Sequence, residues 1–130
     1  MSYEIKQDGK FKFIEEGDGE PLMLLHGLFG ALSNFQFLIE HFCKTNRIIV
    51  PILPLLDLDL LHTSVGGLQK FVHRFVEHRN YNDIHLLGNS LGGHVALVHV
   101  LKHPERIKSI ILTGSSGLFE SGMGDTYPKR

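Results

Sequence analysis

Gly88-Asn89-Ser90-Leu91-Gly92 sets one serine hydroxyl between two glycines, directly after the apolar run Ile84 to Leu87 and directly before a helix-like stretch, Leu91 to Leu101. A serine carried on a sharp strand-to-helix turn is exposed for attack on a carbonyl. Its backbone is strained there, so the residues two positions to either side must be small. Gly88 and Gly92 meet that demand, and Gly93 lets the helix lie close to the strand. The chemistry such a turn serves is acyl transfer, which develops negative charge on the attacked oxygen. The first amides of the following helix point N–H groups at that charge, so the Leu91 amide is the natural first donor. A second donor is expected from the loop after the run Leu22 to Leu25, where His26-Gly27-Leu28-Phe29-Gly30 follows. Its glycines let the backbone turn towards the substrate, and the Leu28 amide is assigned as that donor.

The elements that would position these groups are legible from apolar patterning. Leu22 to Leu25, Ile48 to Val50, Ile84 to Leu87 and Ile107 to Leu112, the last broken only by Lys108 and Ser109, read as buried parallel strands. Strands covered by helices on both faces lack the alternation of a one-sided sheet. Phe11 and Phe13 do alternate with Lys12, which predicts an antiparallel strand near the edge over Phe11 to Glu15. From Val65, the positions Leu68, Val72, Phe75 and Val76 keep a helical period, with Lys70, Arg74 and Glu77 opposite and Thr63 or Ser64 as the cap. Leu91 to Leu101 is apolar nearly all round, as suits a helix packed over the middle of a sheet, and Pro104 helps to end it. The repeating units predict an α/β fold, a mostly parallel sheet flanked by helices. No sequence repeat or low-complexity tract interrupts it, and the tail from Gly114 to Asp125, rich in glycine and serine, reads as a hinge.

Two motifs in this order and setting, H-G-x-x-G at His26 to Gly30 and G-x-S-x-G-G at Gly88 to Gly93, resemble those of the α/β-hydrolase family in its serine hydrolase branch. The resemblance runs from about Phe11 to Gly117. It implies that Ser90 is the nucleophile, that Leu91 and Leu28 donate to the oxyanion, and that His26 supports the oxyanion loop rather than serving as the base. Serine at the elbow, where related branches carry a carboxylate, implies acyl hydrolysis rather than haloalkane or epoxide opening.

By the same resemblance the triad runs in the order serine, acid, histidine, so the last two lie beyond Ser90. His94, His99 and His103 all fall on the helix that leaves the elbow and run away from the site; they are read as packing or solvent-facing residues. Glu105, Glu120 and Asp125 sit at a helix end or in the tail. The triad acid and histidine are therefore expected to be absent from this chain. Residues 1–114 are expected to be the N-terminal part of a hydrolase core, with 115–130 the hinge into a lid, and the chain a fragment or truncated product whose partner is the C-terminal half of the same protein. The expected function is hydrolysis of a small apolar ester or related acyl compound by the complete protein, with carbon–carbon bond hydrolysis or perhydrolysis as a close variant. The alternative is a non-catalytic member of the same fold that binds a small molecule and signals.

Composition excludes other classes. Thirteen basic against 14 acidic residues give a formal charge of −1, which supplies no field for nucleic acid or an anionic membrane. Cys43 is the only cysteine, so no internal disulfide forms, and it is expected to be a small buried apolar residue. No signal-like start and no run near ~18 apolar residues is present, which points to a soluble, cytoplasmic protein. Gly88 to Gly93 has neither the spacing of a dinucleotide-binding loop nor the lysine of a phosphate loop, and no cofactor is expected. Asp57, Asp59 and His62 match no common ligand spacing, so no metal is expected; the nine histidines are scattered and most are read as exposed. The segment Pro51-Ile52-Leu53-Pro54-Leu55 departs from the polar, glycine-containing turn of many family members and leaves the floor of the site open.

Overall fold

The computed structural model describes residues 3–27, 35–54 and 65–114. Six strands form one sheet: β1 (Lys6–Asp8), β2 (Phe11–Glu16), β3 (Glu20–Leu25), β4 (Asn46–Pro51), β5 (Ile84–Asn89) and β6 (Ile107–Thr113). Helices α1 (Gln36–Phe42), α2 (Val65–Arg79) and α3 (Leu91–Lys102) lie between them, with a 3₁₀ turn at Pro104–Arg106. The strand order is β1-β2-β4-β3-β5-β6. The four strands β4, β3, β5 and β6 are parallel, while β2 runs antiparallel to β4 and to β1. The parallel core, the two helical segments and the antiparallel β2 are thus where the patterning puts them. β1 and α1 are additions; Lys6, Gln7 and Asp8 carry no apolar alternation, and α1 has only seven residues.

The central strands divide their apolar side chains between two layers. Leu22, Leu24, Ile48, Val50 and Leu87 pack with Phe35 and Ile39 on the α1 side. Met23, Leu25, Ile49, Ile84 and Leu86 pack with Leu68, Val72 and Phe75 of α2 and Val95 and Ala96 of α3 on the other. This two-sided burial is why the strands read as continuous apolar runs.

Three expectations need correction. β6 is not buried on both faces: it has one neighbouring strand among the described residues, and Ile111 remains 42% exposed. Cys43 is half-buried, its thiol directed at the Glu40 carbonyl at 3.6 Å. The apolar girdle of α3 is not uniformly covered, since Leu101 is 75% exposed while His99 is buried. Among the described residues no helix is long and apolar enough to cross a membrane.

Candidate active site

β5 ends at Asn89 and α3 begins at Leu91, so Ser90 alone makes the turn between them. Its backbone takes φ 57°, ψ −123°, a region that a residue with a side chain occupies only under strain. Three hydrogen bonds fix this conformation. The Ser90 N–H donates to the Thr113 carbonyl at 3.0 Å, tying the turn to the last residue of β6. The Ser90 carbonyl accepts from the amides of Gly93 at 2.9 Å and His94 at 3.3 Å, which starts α3 without a side-chain cap. The serine itself is exposed.

The flanking glycines are required by space. A Cβ on Gly88 would run into the Gly92 carbonyl and come within 2.7 Å of the Gly93 Cα. One on Gly92 would strike the Leu25 carbonyl and lie 2.8 Å from that of His26. α3 therefore lies directly against the end of β3. Gly27 has a different neighbour: a Cβ there would sit 3.2 Å from the Ser90 Cβ and 3.5 Å from its Oγ. The bare backbone of Gly27 leaves open the space beside the hydroxyl.

His26 is 5% exposed and bridges two loops. Its Nε2 accepts from the Leu53 amide at 3.0 Å, and its Nδ1 faces the Gly27 carbonyl at 3.0 Å. Since Nε2 accepts, Nδ1 carries the proton and donates to Gly27. Burial pulls the imidazole below its ordinary range, only partly countered by the Gly27 bond, so the neutral tautomer this arrangement needs is the favoured one. The segment after β4 is thus tied to the residue after β3. Ile52 donates to the Lys12 carbonyl at 2.9 Å and Leu53 is 4% exposed. The unusual Pro51 to Pro54 sequence supplies an amide for His26, a link that no local pattern announces.

Leu91 stands at the first position of α3, as expected. Leu28, Phe29 and Gly30 lie outside the described residues, as do Asp57, Asp59, His62, Thr63, Ser64, Glu120 and Asp125. The histidines after the elbow do not gather round Ser90. His99 and His103 close on His73 of α2, with ring centroids 5.8 Å (His73–His99) and 5.6 Å (His99–His103) apart, and the His73 and His103 rings stack at 3.5 Å. This overturns the reading of the histidines as scattered and mostly exposed: of those described, only His41 and His78 are exposed. Side chains that meet across two helices leave no mark in local spacing. Among the described residues no three His, Cys, Asp or Glu side chains are arranged to hold a metal ion.

Residues 20–128 match the family model described as alpha/beta hydrolase fold. The chain belongs to this family. Among solved structures, an alpha/beta hydrolase enzyme from the metagenome of sediments from the lagoon of Mar Chica, Morocco, is 42% identical with a TM-score of 0.82. The match covers 98% of this chain and 59% of that one. Among curated relatives, the 2-hydroxymuconate semialdehyde hydrolase of Pseudomonas sp. (strain CF600) is 29% identical over 116 residues, 80% of this chain and 39% of its own length. The monoacylglycerol lipase abhd6-A of Xenopus laevis is 30% identical over 134 residues, 91% of this chain and 38% of its own. This α/β-hydrolase chain therefore spans about two fifths of the length of the curated relatives it matches.

Proposed function

We propose that the complete protein is a serine hydrolase of esterase type, acting on a small, largely apolar ester. The Ser90 hydroxyl attacks the carbonyl carbon, the alcohol leaves with a proton, and water then releases the acid from the Ser90 ester. The observation that carries this reading is the Ser90 backbone at φ 57°, on a turn clamped by Thr113 and opened by Gly27. Strain of this kind is retained where it presents a reactive group. The Leu91 and Leu28 amides are assigned to the oxyanion, and His26 positions the loop that carries Leu28. The triad acid and histidine belong, on this reading, to the C-terminal half that the relatives possess. The single cysteine fits a reducing, cytoplasmic setting.

The test is labelling of the full-length protein with a fluorophosphonate probe. Ser90 should be modified and Ser90→Ala should abolish the label; equal labelling of the variant, or none of the folded wild type, would overturn the assignment, the latter favouring a non-catalytic binding protein. A second reading, carbon–carbon bond hydrolysis, is favoured by the relative named for 2-hydroxymuconate semialdehyde. Ser90-dependent turnover of that semialdehyde, without turnover of short-chain esters, would select it.

A further inference from the structure

Thr113, the last residue of β6, touches three consecutive residues of the elbow. Its carbonyl accepts from the Ser90 amide at 3.0 Å, its hydroxyl donates to the Asn89 Oδ1 at 3.0 Å, and that hydroxyl also lies 3.5 Å from the Gly88 carbonyl. These contacts follow from register. Gly88 pairs with Leu112 and Asn89 with Thr113, so the Asn89 and Thr113 side chains leave adjacent strands on the same face of the sheet. The strand ends there, because Gly114 takes φ 57° and turns the chain out of it. The last bond of a ladder is the one that frays most readily. On this bond rests the conformation of Ser90.

The angle φ at Ser90 records how the Asn89–Ser90 peptide is turned relative to α3, which holds the other side of the residue through the Ser90 carbonyl. Returning Ser90 to an unstrained, negative φ rotates that peptide and carries the Ser90 N–H away from the Thr113 carbonyl. The backbone bond opposes this rotation at the nitrogen end of the peptide. The Asn89 carboxamide opposes it at the other end, since it ties Asn89 to the same β6 residue. Asn89 is half-buried and Thr113 exposed, so their side-chain bond adds little to the stability of the fold. Its effect falls on the geometry of the turn.

We infer that Thr113 is a positioning residue for Ser90, acting through the bond from its hydroxyl to Asn89. With this bond in place the serine stays in the conformation from which it attacks; without it the elbow relaxes for part of the time. Any residue at this position would supply the carbonyl, but only a hydroxyl side chain of this length reaches Asn89 as well. The inference rests on the reading of Ser90 as the nucleophile.

The test is the rate of fluorophosphonate labelling at Ser90 in the complete protein, followed over a range of probe concentrations so that saturation separates probe binding from reaction within the complex. Thr113→Val keeps the shape and the backbone carbonyl but removes the hydroxyl. It should slow the reaction at saturation roughly tenfold, the scale of one hydrogen bond's net contribution, with half-saturation and melting temperature unchanged. Thr113→Ser should restore the rate. Asn89→Ala should slow it equally, and Asn89→Ala combined with Thr113→Val should be no slower than either alone, because each removes the same bond. Full-rate labelling of Thr113→Val, failure of Thr113→Ser to restore the rate, or losses that multiply in the double variant would each overturn the inference. A folded wild type that takes no label at Ser90 would overturn the nucleophile assignment and this inference together, whereas a labelled wild type with an indifferent Thr113→Val overturns the positioning role alone.

Discussion

The imidazole of His26 takes the Leu53 amide proton at 3.0 Å, joining the residue after β3 to the segment after β4. Replacing His26 by alanine strands a buried amide and releases the Gly27 carbonyl. We expect a loss of about 2 kcal/mol in chemical denaturation. In the full-length protein, His26→Gln should retain more fluorophosphonate labelling than His26→Ala, because its side-chain carbonyl can still accept from Leu53. Equal stability of the wild type and His26→Ala would show that the bridge carries no weight.

Gly27 and Gly92 should respond oppositely to the same added methyl. Gly92→Ala drives a Cβ into the Leu25 carbonyl and should cost about 3 kcal/mol as α3 is pushed off the sheet. Gly27→Ala meets Ser90 at 3.2 to 3.5 Å, a tight but tolerable approach. It should fold normally while slowing labelling of Ser90 on the order of 10²-fold by crowding the attack path. Thermal melts beside labelling rates distinguish the two effects.

His99 predicts an acid-sensitive seam between α2 and α3. It is 1% exposed and, among the described residues, neither ring nitrogen has a hydrogen-bond partner. Burial first, then the neighbouring His103 and His73, lower its pKa to about 4, with Glu105 acting weakly the other way. Above pH ~6.5 the ring is neutral folded or unfolded, and the full stability is present. As pH falls towards 4 the unfolded chain takes up the proton first, so stability declines through that window by about 3 kcal/mol. His99→Leu should flatten this part of the stability–pH curve; an unchanged slope would place the titrating group elsewhere.

Among the described residues β6 is an edge strand with no partner on its outer side, and its Ile111 is 42% exposed. Such an edge recruits a second chain. The 130-residue chain should therefore associate in light scattering at micromolar concentration, and Ile111→Lys should shift it towards monomer without altering its far-ultraviolet dichroism. Monomeric behaviour of the wild-type chain would refute this.

The residues legible from sequence are those whose constraint is local. Gly88 and Gly92 are small because the chain turns between them, and Leu68, Val72 and Phe75 repeat because one helix face is buried. Two constraints are non-local and left no trace in spacing: the amide that Leu53 lends to His26, and the meeting of His73 with His103 across two helices. Gln69 belongs with them, a polar residue 1% exposed on the buried side of α2. β1 escaped because Lys6, Gln7 and Asp8 are held by pairing with Phe13, Lys12 and Phe11 rather than by burial of their own side chains.

The bond from the Ser90 amide to the Thr113 carbonyl also sets an order of events during synthesis. The ribosome delivers β5, the elbow and α3 before Thr113 exists, so a nascent chain can dock β5 on β3 with Ser90 still free to relax. Pairing of β6 beside β5 then adds the Thr113 carbonyl to the bonds that hold Ser90 in its strained conformation. A chain stalled before residue 113 would lack that bond while the side chains of β3, β4 and β5 could already pack together.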